Sequence, residues 1–290
     1  MANIKDLKKK IKTTKSTLKI TTAMKLVSAA KMAKAQAAIV GTRPYANELE
    51  DSIKTISALA RNYSHSFLES NDSDKTVVLV ISANKGLCGG YNSQLAKKVL
   101  TDLGSVDHLE NYEFHFIGKK VKDALKSTEI QGDLVEFEKN EPTYEEINKI
   151  AVELSERFLN GEVGKVLVAY NIFNSAISFT PTIKQVLPLS LDQSAAEELK
   201  EKHPFDFKYD PSASEILDTL IPETYSTSIY TSVLDAAAAE HGSRMTAMDN
   251  AVGNCKDAIR SLTLQMNKAR QAAITTELIE VVSGAESLNG

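Results

Sequence analysis

Hydrophobic positions recur with two periods along this chain, a helical one at both ends and a strand-like one in the middle. Near the carboxyl end, Met245, Met248, Val252, Cys255, Ile259, Leu262, Met266, Ala269 and Ala273 follow alternating steps of three and four. That is a strict heptad seam, the spacing with which one helix packs along another. Its small members, with Gly253 nearby, let a second helix come close, and the alanine-rich first helix of the same chain is the predicted partner. At the amino end, residues 4–61, Ile4, Leu7, Ile11 and Leu18 keep heptad-like steps, and Ile20, Met24, Val27 and Ala30 then continue in a shifted register. Such a shift predicts a stutter, which locally changes supercoiling. Gly41 and Pro44 predict a bend, because proline removes a backbone donor and clashes with the preceding turn.

The last helical run, ITTELIEVVSGAESLNG at 274–290, stays apolar with little chain left to cover it. At about 100° per residue, Ile274, Leu278, Ile279, Val281, Val282 and Leu288 spread over half the helix circumference, wider than the stripe of an ordinary surface helix. The surface calls for a partner. At about 1.5 Å per residue, a helix from 211 to 286 reaches on the order of 110 Å, beyond a compact domain of this size.

The middle, 74–191, alternates strand and helix. TVVLVIS at 76–82 is a β-branched run suited to a buried parallel strand. A helix is predicted at 92–103, a strand at 112–118, a helix at 144–159, and two strands in VGKVLVAYNIF and FTPTIKQVLPL with a turn at 174–178. Alternation of this kind predicts a doubly wound, Rossmann-like α/β domain. Polar residues at 192–211 predict a loop before the last helix. The resulting organisation is an N-terminal coiled-coil helix at 1–62, a central α/β domain at 74–191 and a C-terminal coiled-coil helix at 211–287.

Charge changes this picture. Residues 1–40 hold ten lysines against Asp6 alone and no arginine, and because the whole chain sums to -4, the other 250 residues stand at -13. A lysine face can simply keep a long helix soluble, or it can meet an acidic neighbour. Nucleic acid is disfavoured, since no aromatic residue precedes Tyr45 to stack on bases. A membrane surface is disfavoured by the same lack of aromatic anchors, and no run of about 18 apolar residues spans a bilayer. The start lacks the apolar core of a signal peptide, so it is read as mature structure. Cys88 and Cys255 lie far apart without metal-type spacing, which fits a reducing compartment.

The stretch NKGLCGGYN at 84–92 sits after a first strand and before a helix, where such folds often bind phosphate. It has neither GxGxxG spacing nor the Gly-Lys-Ser/Thr ending of a Walker loop, so the glycines read as a tight turn. Cys88 is a nucleophile only with a base and a lowered pKa. His65, His108, His115, His203 and His241 show no triad-like pattern. The residues alone leave open a small-molecule-binding α/β module with coiled-coil arms, an enzyme using the Cys88 loop, and a homodimeric structural coiled coil.

Several stretches together resemble one family, the gamma subunit of rotary F-type ATP synthases. IKTTKSTLKITTAMKLVSAAKMAKAQ is similar to its N-terminal helix, SANKGLCGGYNSQL to its central turn, and KYDPSASEILDTLI to the entry of its C-terminal helix. The closing SRMTAMDNAVGNCKDAIRSLTLQMNKARQAAITTELIEVVSGAES carries the most specific match, with ITTELIEVVSGAES fitting the terminal signature. The chain departs from the family at SANKGLCG, where aspartate is usual at Asn84 or its neighbour, at Gly242-Ser243, where two alanines are common, and at Met266, where tyrosine is common.

The resemblance implies an antiparallel coiled coil of the two end helices above a central α/β domain, and a non-catalytic rotor shaft inside a hexamer of alpha and beta subunits. It implies no cofactor and no metal. It places Met24 and Lys25 on the shaft near an acidic beta loop, and Arg270, Gln271 and Thr275 in a polar collar meeting beta loops. Arg244 and Glu277 belong to the same motif. The foot is expected to meet the epsilon subunit and the membrane c-ring, making the protein peripheral to the membrane on the cytoplasmic side of a bacterial plasma membrane. The lack of a cysteine-bearing insertion argues against the thiol-switched chloroplast type.

Overall fold

The computed structural model describes residues 4–59, 64–104, 108–137, 142–189, 209–210 and 212–289. The loop expected at 192–211 lies outside them but for Tyr209 and Asp210, as do Arg61 and the side chain of Leu288. Elements run α1 (Ile4–Leu59), β1 (Thr76–Ile81), α2 (Tyr91–Leu103), β2 (Tyr112–Ile117), α3 (Lys119–Leu125), β3 (Gly132–Val135), α4 (Tyr144–Leu159), β4 (Lys165–Ser175), β5 (Ser178–Leu187) and α5 (Ala213–Asn289). Contacts divide the chain into two compact units, Met1–Ser28 with Met245–Gly290, and Ala29–Arg244.

In the second unit the sheet runs β3-β2-β1-β4-β5. β1, β2, β3 and β4 are parallel to their neighbours and β5 returns antiparallel beside β4. β1 is apolar from Val77 to Ile81 because both faces are covered. Val77, Leu79 and Ile81 pack with α4 and with Leu217, Ile221, Tyr225 and Ile229 of α5. Val78 and Val80 pack on the other face with Leu95 and Val99 of α2 and Val121 and Leu125 of α3. α4 begins at a full capping box, Thr143 and Glu146 each bonding the other's backbone N–H, and α5 begins where Ser212 Oγ accepts the Glu215 N–H at 3.2 Å. β3 and α3 have no counterpart in the sequence reading. Each is short, four and seven residues, too brief for either period to show.

α1 corrects one expectation. The predicted stutter is absent: Ile4, Leu7, Ile11, Thr14, Leu18, Thr21, Lys25 and Ser28 in the first unit keep an unbroken alternation of three and four, and none is exposed. Met32, Ala35, Ile39, Thr42, Ala46, Leu49, Ile53 and Ile56 in the second unit keep it too. Ile20 and Val27, assigned to the seam by their hydrophobicity, are 61% and 58% exposed. Hydroxyl residues can take the seam because the helix itself satisfies them. Thr14 Oγ1 donates to the Lys10 carbonyl at 2.9 Å, and Thr21 Oγ1 to the Thr17 carbonyl at 3.1 Å. Gly41 and Pro44 lie within α1, which continues as helix through both with its covered face in register.

Within the second unit, partners on α1 and α5 run in opposite order: Ile39 packs with Ala238 and Ala239, Arg43 pairs with Asp235, and Tyr45 bonds Glu223. The helices are antiparallel there. In the first unit every predicted seam residue of α5, from Met245 to Ala273, is buried or half-buried.

Candidate functional site: shaft faces and the domain anchor

In a doubly wound sheet the ligand crevice opens where the strand order reverses, outside the carboxyl ends of the strands. Here the chain runs from β1 to β2 and β3 on one side, and β4 then takes the other side of β1. The turn 84–90 lies at that point. Leu87 has φ 60° and Gly89 φ 56°, a left-handed conformation that glycine adopts without cost. The crevice is filled by α5. Arg244 Nη2 donates to the carbonyls of Lys85 at 3.0 Å and Gly86 at 3.3 Å, and Ser243 Oγ donates to the Cys88 carbonyl at 2.5 Å. Arg244 is only 8% exposed, and its charge is met by Glu240 at 2.6 Å.

Tyr91, next to the turn, donates its hydroxyl to the Ala236 carbonyl at 3.0 Å, and Asn171 of β4 donates to the Tyr91 carbonyl at 3.2 Å. Ile39, Cys88, Phe173, Ala238 and Ala239 close around it. The position that cradles phosphate in nucleotide-binding relatives of this topology is therefore an anchor between the α/β domain and α5. Burial pushes the Cys88 thiol up, with Arg244 opposing, and its sulfur accepts from Asn92 Nδ2 at 3.1 Å. A thiol held protonated is a packing group rather than a nucleophile. The Gly242-Ser243 departure has a local use as well: a Cβ at Gly242 would stand 3.1 Å from the Ala176 carbonyl, and alanine at 243 would lose the bond to Cys88.

The predicted interaction residues fall in three places. Met24 and Lys25 are half-buried on α1, and Lys25 Nζ meets Asp249 of α5 at 2.5 Å. Arg270, Gln271, Thr275 and Glu277 are exposed on α5. Thr275 Oγ1 donates to the Gln271 carbonyl at 2.9 Å, while Arg270, Gln271 and Glu277 have no side-chain partner among the described residues. Arg244 is the exception, its guanidinium committed within the second unit. On α1, Lys8, Lys9, Lys10, Lys12, Lys15 and Lys19 are exposed with no acid partner among the described residues. On the same helix, Ile274, Leu278, Ile279, Val281 and Val282 are 47–69% exposed.

Two interactions had no sequence signal. Arg43 Nη2 binds Asp235 at 2.6 Å, and Asp235 is 5% exposed. Their separation of 192 positions hides them from any local pattern. Arg157 forks onto Glu113 at 3.0 and 2.6 Å with His115 also on that carboxylate, and these contacts hold Glu113 down at a pKa of about 2.

Comparison with known proteins places this arrangement. A family model described as ATP synthase matches residues 3–288. The chain is 40% identical to an ATP synthase gamma chain of Anaeromyxobacter sp. (strain Fw109-5), over 99% of this chain and 100% of that one. It is 38% identical to the ATP synthase gamma chain of Flavobacterium johnsoniae, over 100% of both. Among solved structures it is similar to a chain of the Euglena gracilis mitochondrial ATP synthase at 19% identity and TM-score 0.67, over 98% of this chain and 94% of that one. A chain from the central stalk and c-ring of the Tetrahymena thermophila mitochondrial enzyme matches 80% of this chain and 99% of its own at 22% identity and TM-score 0.56. At those identities the two structures speak for the fold.

Proposed function

The chain belongs to the ATP synthase gamma-chain family and is its non-catalytic rotor shaft, and from that premise we propose how its faces divide the work. The α and β subunits form a hexamer around the α1–α5 shaft, and the apolar residues 274–285 turn inside an apolar sleeve that excludes water and offers few directional bonds. Arg270, Gln271 and Thr275 form a polar collar against beta loops, joined by Glu277. The exposed lysines of α1 at 8–19, followed along the helix by Met24 and by Lys25, which Asp249 holds, face acidic beta loops through attraction shallow enough to be made and broken as the shaft turns. Arg244 acts indirectly, tying the α/β domain to α5.

The domain end meets the epsilon subunit and the membrane c-ring. That makes the chain peripheral, on the cytoplasmic face of a bacterial plasma membrane; among the described residues no helix is long and apolar enough to cross a membrane. A shaft without threefold symmetry presents a different face to each catalytic subunit, so each orientation contributes a different contact energy to open and closed beta conformers. Rotation exchanges those states.

The observation that carries this reading is the change along α5 from a covered seam ending at Ala273 to a wholly exposed apolar stretch at 274–285. The test is Arg270→Ala with Gln271→Ala in the assembled complex. Each charge-assisted bond to a partner is worth roughly 1.5–3 kcal/mol. The double variant is expected to fold and assemble with full subunit content and to lose both rotation-coupled hydrolysis and ion-driven synthesis. Wild-type rates for both would refute the collar.

A further inference from the structure

The second unit carries a cleft of about 220 Å³ between α1, the β4–β5 pair and α5. A single water occupies only about 30 Å³ of the liquid, so the cleft has room for a solute. Its walls include Arg43 and Asn47 from α1, Tyr170 from β4, Lys184 from β5, and Thr224 and Ser228 from α5. Its shielded lining mixes polar and apolar groups: Tyr170 is 6% exposed and Thr224 7%, beside Ile53 at 2% and Val186 at 0%.

Two cations at this cleft have donors to spare. Arg43 uses Nη2 for Asp235 and for the Phe173 carbonyl, which leaves Nε and Nη1 without partners among the described residues. Lys184 Nζ reaches only the Ser228 hydroxyl, at 3.1 Å, and has no carboxylate partner among the described residues. The acid in the lining is Glu50, and Lys54 meets its carboxylate at 2.9 Å. A rigid guanidinium fork and an ammonium that line one cavity together with hydroxyls are the donor set that recognises phosphate or a like oxyanion.

We propose that this cleft is a binding site for a small oxyanion of the phosphate class, held between Arg43 and Lys184. The site shares no lining residue with the filled crevice at 84–90 and is independent of the shaft's role. The test is titration of the full chain with inorganic phosphate in chloride buffer, followed by calorimetry and by amide NMR shifts. Saturable one-to-one binding is expected, with sulfate competing and the largest shifts at Lys184, Ser228 and Thr231. Lys184→Gln, at an exposed position, is expected to weaken it at least roughly tenfold, ~1.4 kcal/mol, while leaving the fold unchanged. Arg43→Lys, which keeps a cation for Asp235 but removes the fork, is expected to weaken it as well. Absence of saturable binding, equal binding by Lys184→Gln, or shifts confined to the lysines of α1 would overturn the proposal.

Discussion

Two stretches of the same helix α5 have opposite fates. Residues 220–244 contain no exposed position, although they include Glu223, Asp235, Glu240 and Arg244, whereas residues 274–285, with five large aliphatic side chains, contain only exposed ones. Hydrophobicity does not separate them. What does is how far its own chain covers each stretch: the first packs on the sheet and α1, with Asp235 paired by Arg43, Glu223 bonded by Tyr45 and Glu240 paired with Arg244, and the second stays exposed at every position. Burial within one chain measures local supply of partners, and a cluster of large aliphatic side chains left bare within a single stretch marks where another molecule supplies the rest.

The strongest way to break the comparison is to remove the same group from both stretches. Ile221→Ala, at a fully buried position, is expected to cost about 2–5 kcal/mol in urea unfolding of the isolated chain. Ile279→Ala, 60% exposed, is expected to stay within about 0.5 kcal/mol in the same assay and to weaken assembly instead. Equal losses in the isolated chain would erase the distinction.

Arg244→Ala sharpens the buried side. It strands Glu240 and the carbonyls of Lys85 and Gly86, and is expected to cost roughly 1.5–3 kcal/mol. Protection of the 84–90 amides from hydrogen exchange should fall first. Unchanged protection there would mean that the anchor is held by Tyr91 rather than by Arg244.

Cys88→Ser asks whether the same anchor tolerates a polar group. The Asn92 amide already donates to the sulfur, so the hydroxyl inherits a partner and the cost is expected at about 1 kcal/mol or less. ATP turnover of the assembled complex should stay near wild type. Loss of turnover with intact assembly would assign Cys88 a role beyond packing.

The smallest effect lies at the surface ion pair of Glu113. Its folded pKa of about 2 lies below the ordinary 4.5, so its contribution is complete above pH 4.5 and is lost as pH falls towards 2. Glu113 is 44% exposed as a side chain, which holds the contribution to roughly 0.2–1 kcal/mol, as is usual for surface pairs. Glu113→Gln should flatten the acid limb of stability in that window, and an unaltered limb would assign the acid loss to other carboxylates.

Much of the fold is legible in the sequence alone. The α5 seam from Met245 to Ala273 could be read residue by residue, because a heptad over many turns is a long signal. β1, β2 and the α4 helix could be read from their apolar runs and periods. β3 and α3 could not, being too short to repeat. The seam of α1 was misread where Thr14, Thr21, Lys25 and Ser28 occupy it. A hydropathy pattern ranks Ile20 and Val27 above them, but hydroxyls that bond their own helix lose little by being covered.

By itself the sequence determined the periodicities, the lysine face of α1 and the apolar positions of 274–285, all of which are local or repeat along the chain. Only the tertiary structure decided what those features meet. It filled the crevice at 84–90 with Arg244 and Ser243, turned Arg43 onto Asp235, and covered Glu240 while leaving Ile279 bare. The reason is that periodicity is written in neighbours a few positions apart, whereas a buried pair is set by contacts made across more than a hundred residues, where each side chain's chemistry constrains its partner without indicating where in the chain that partner lies.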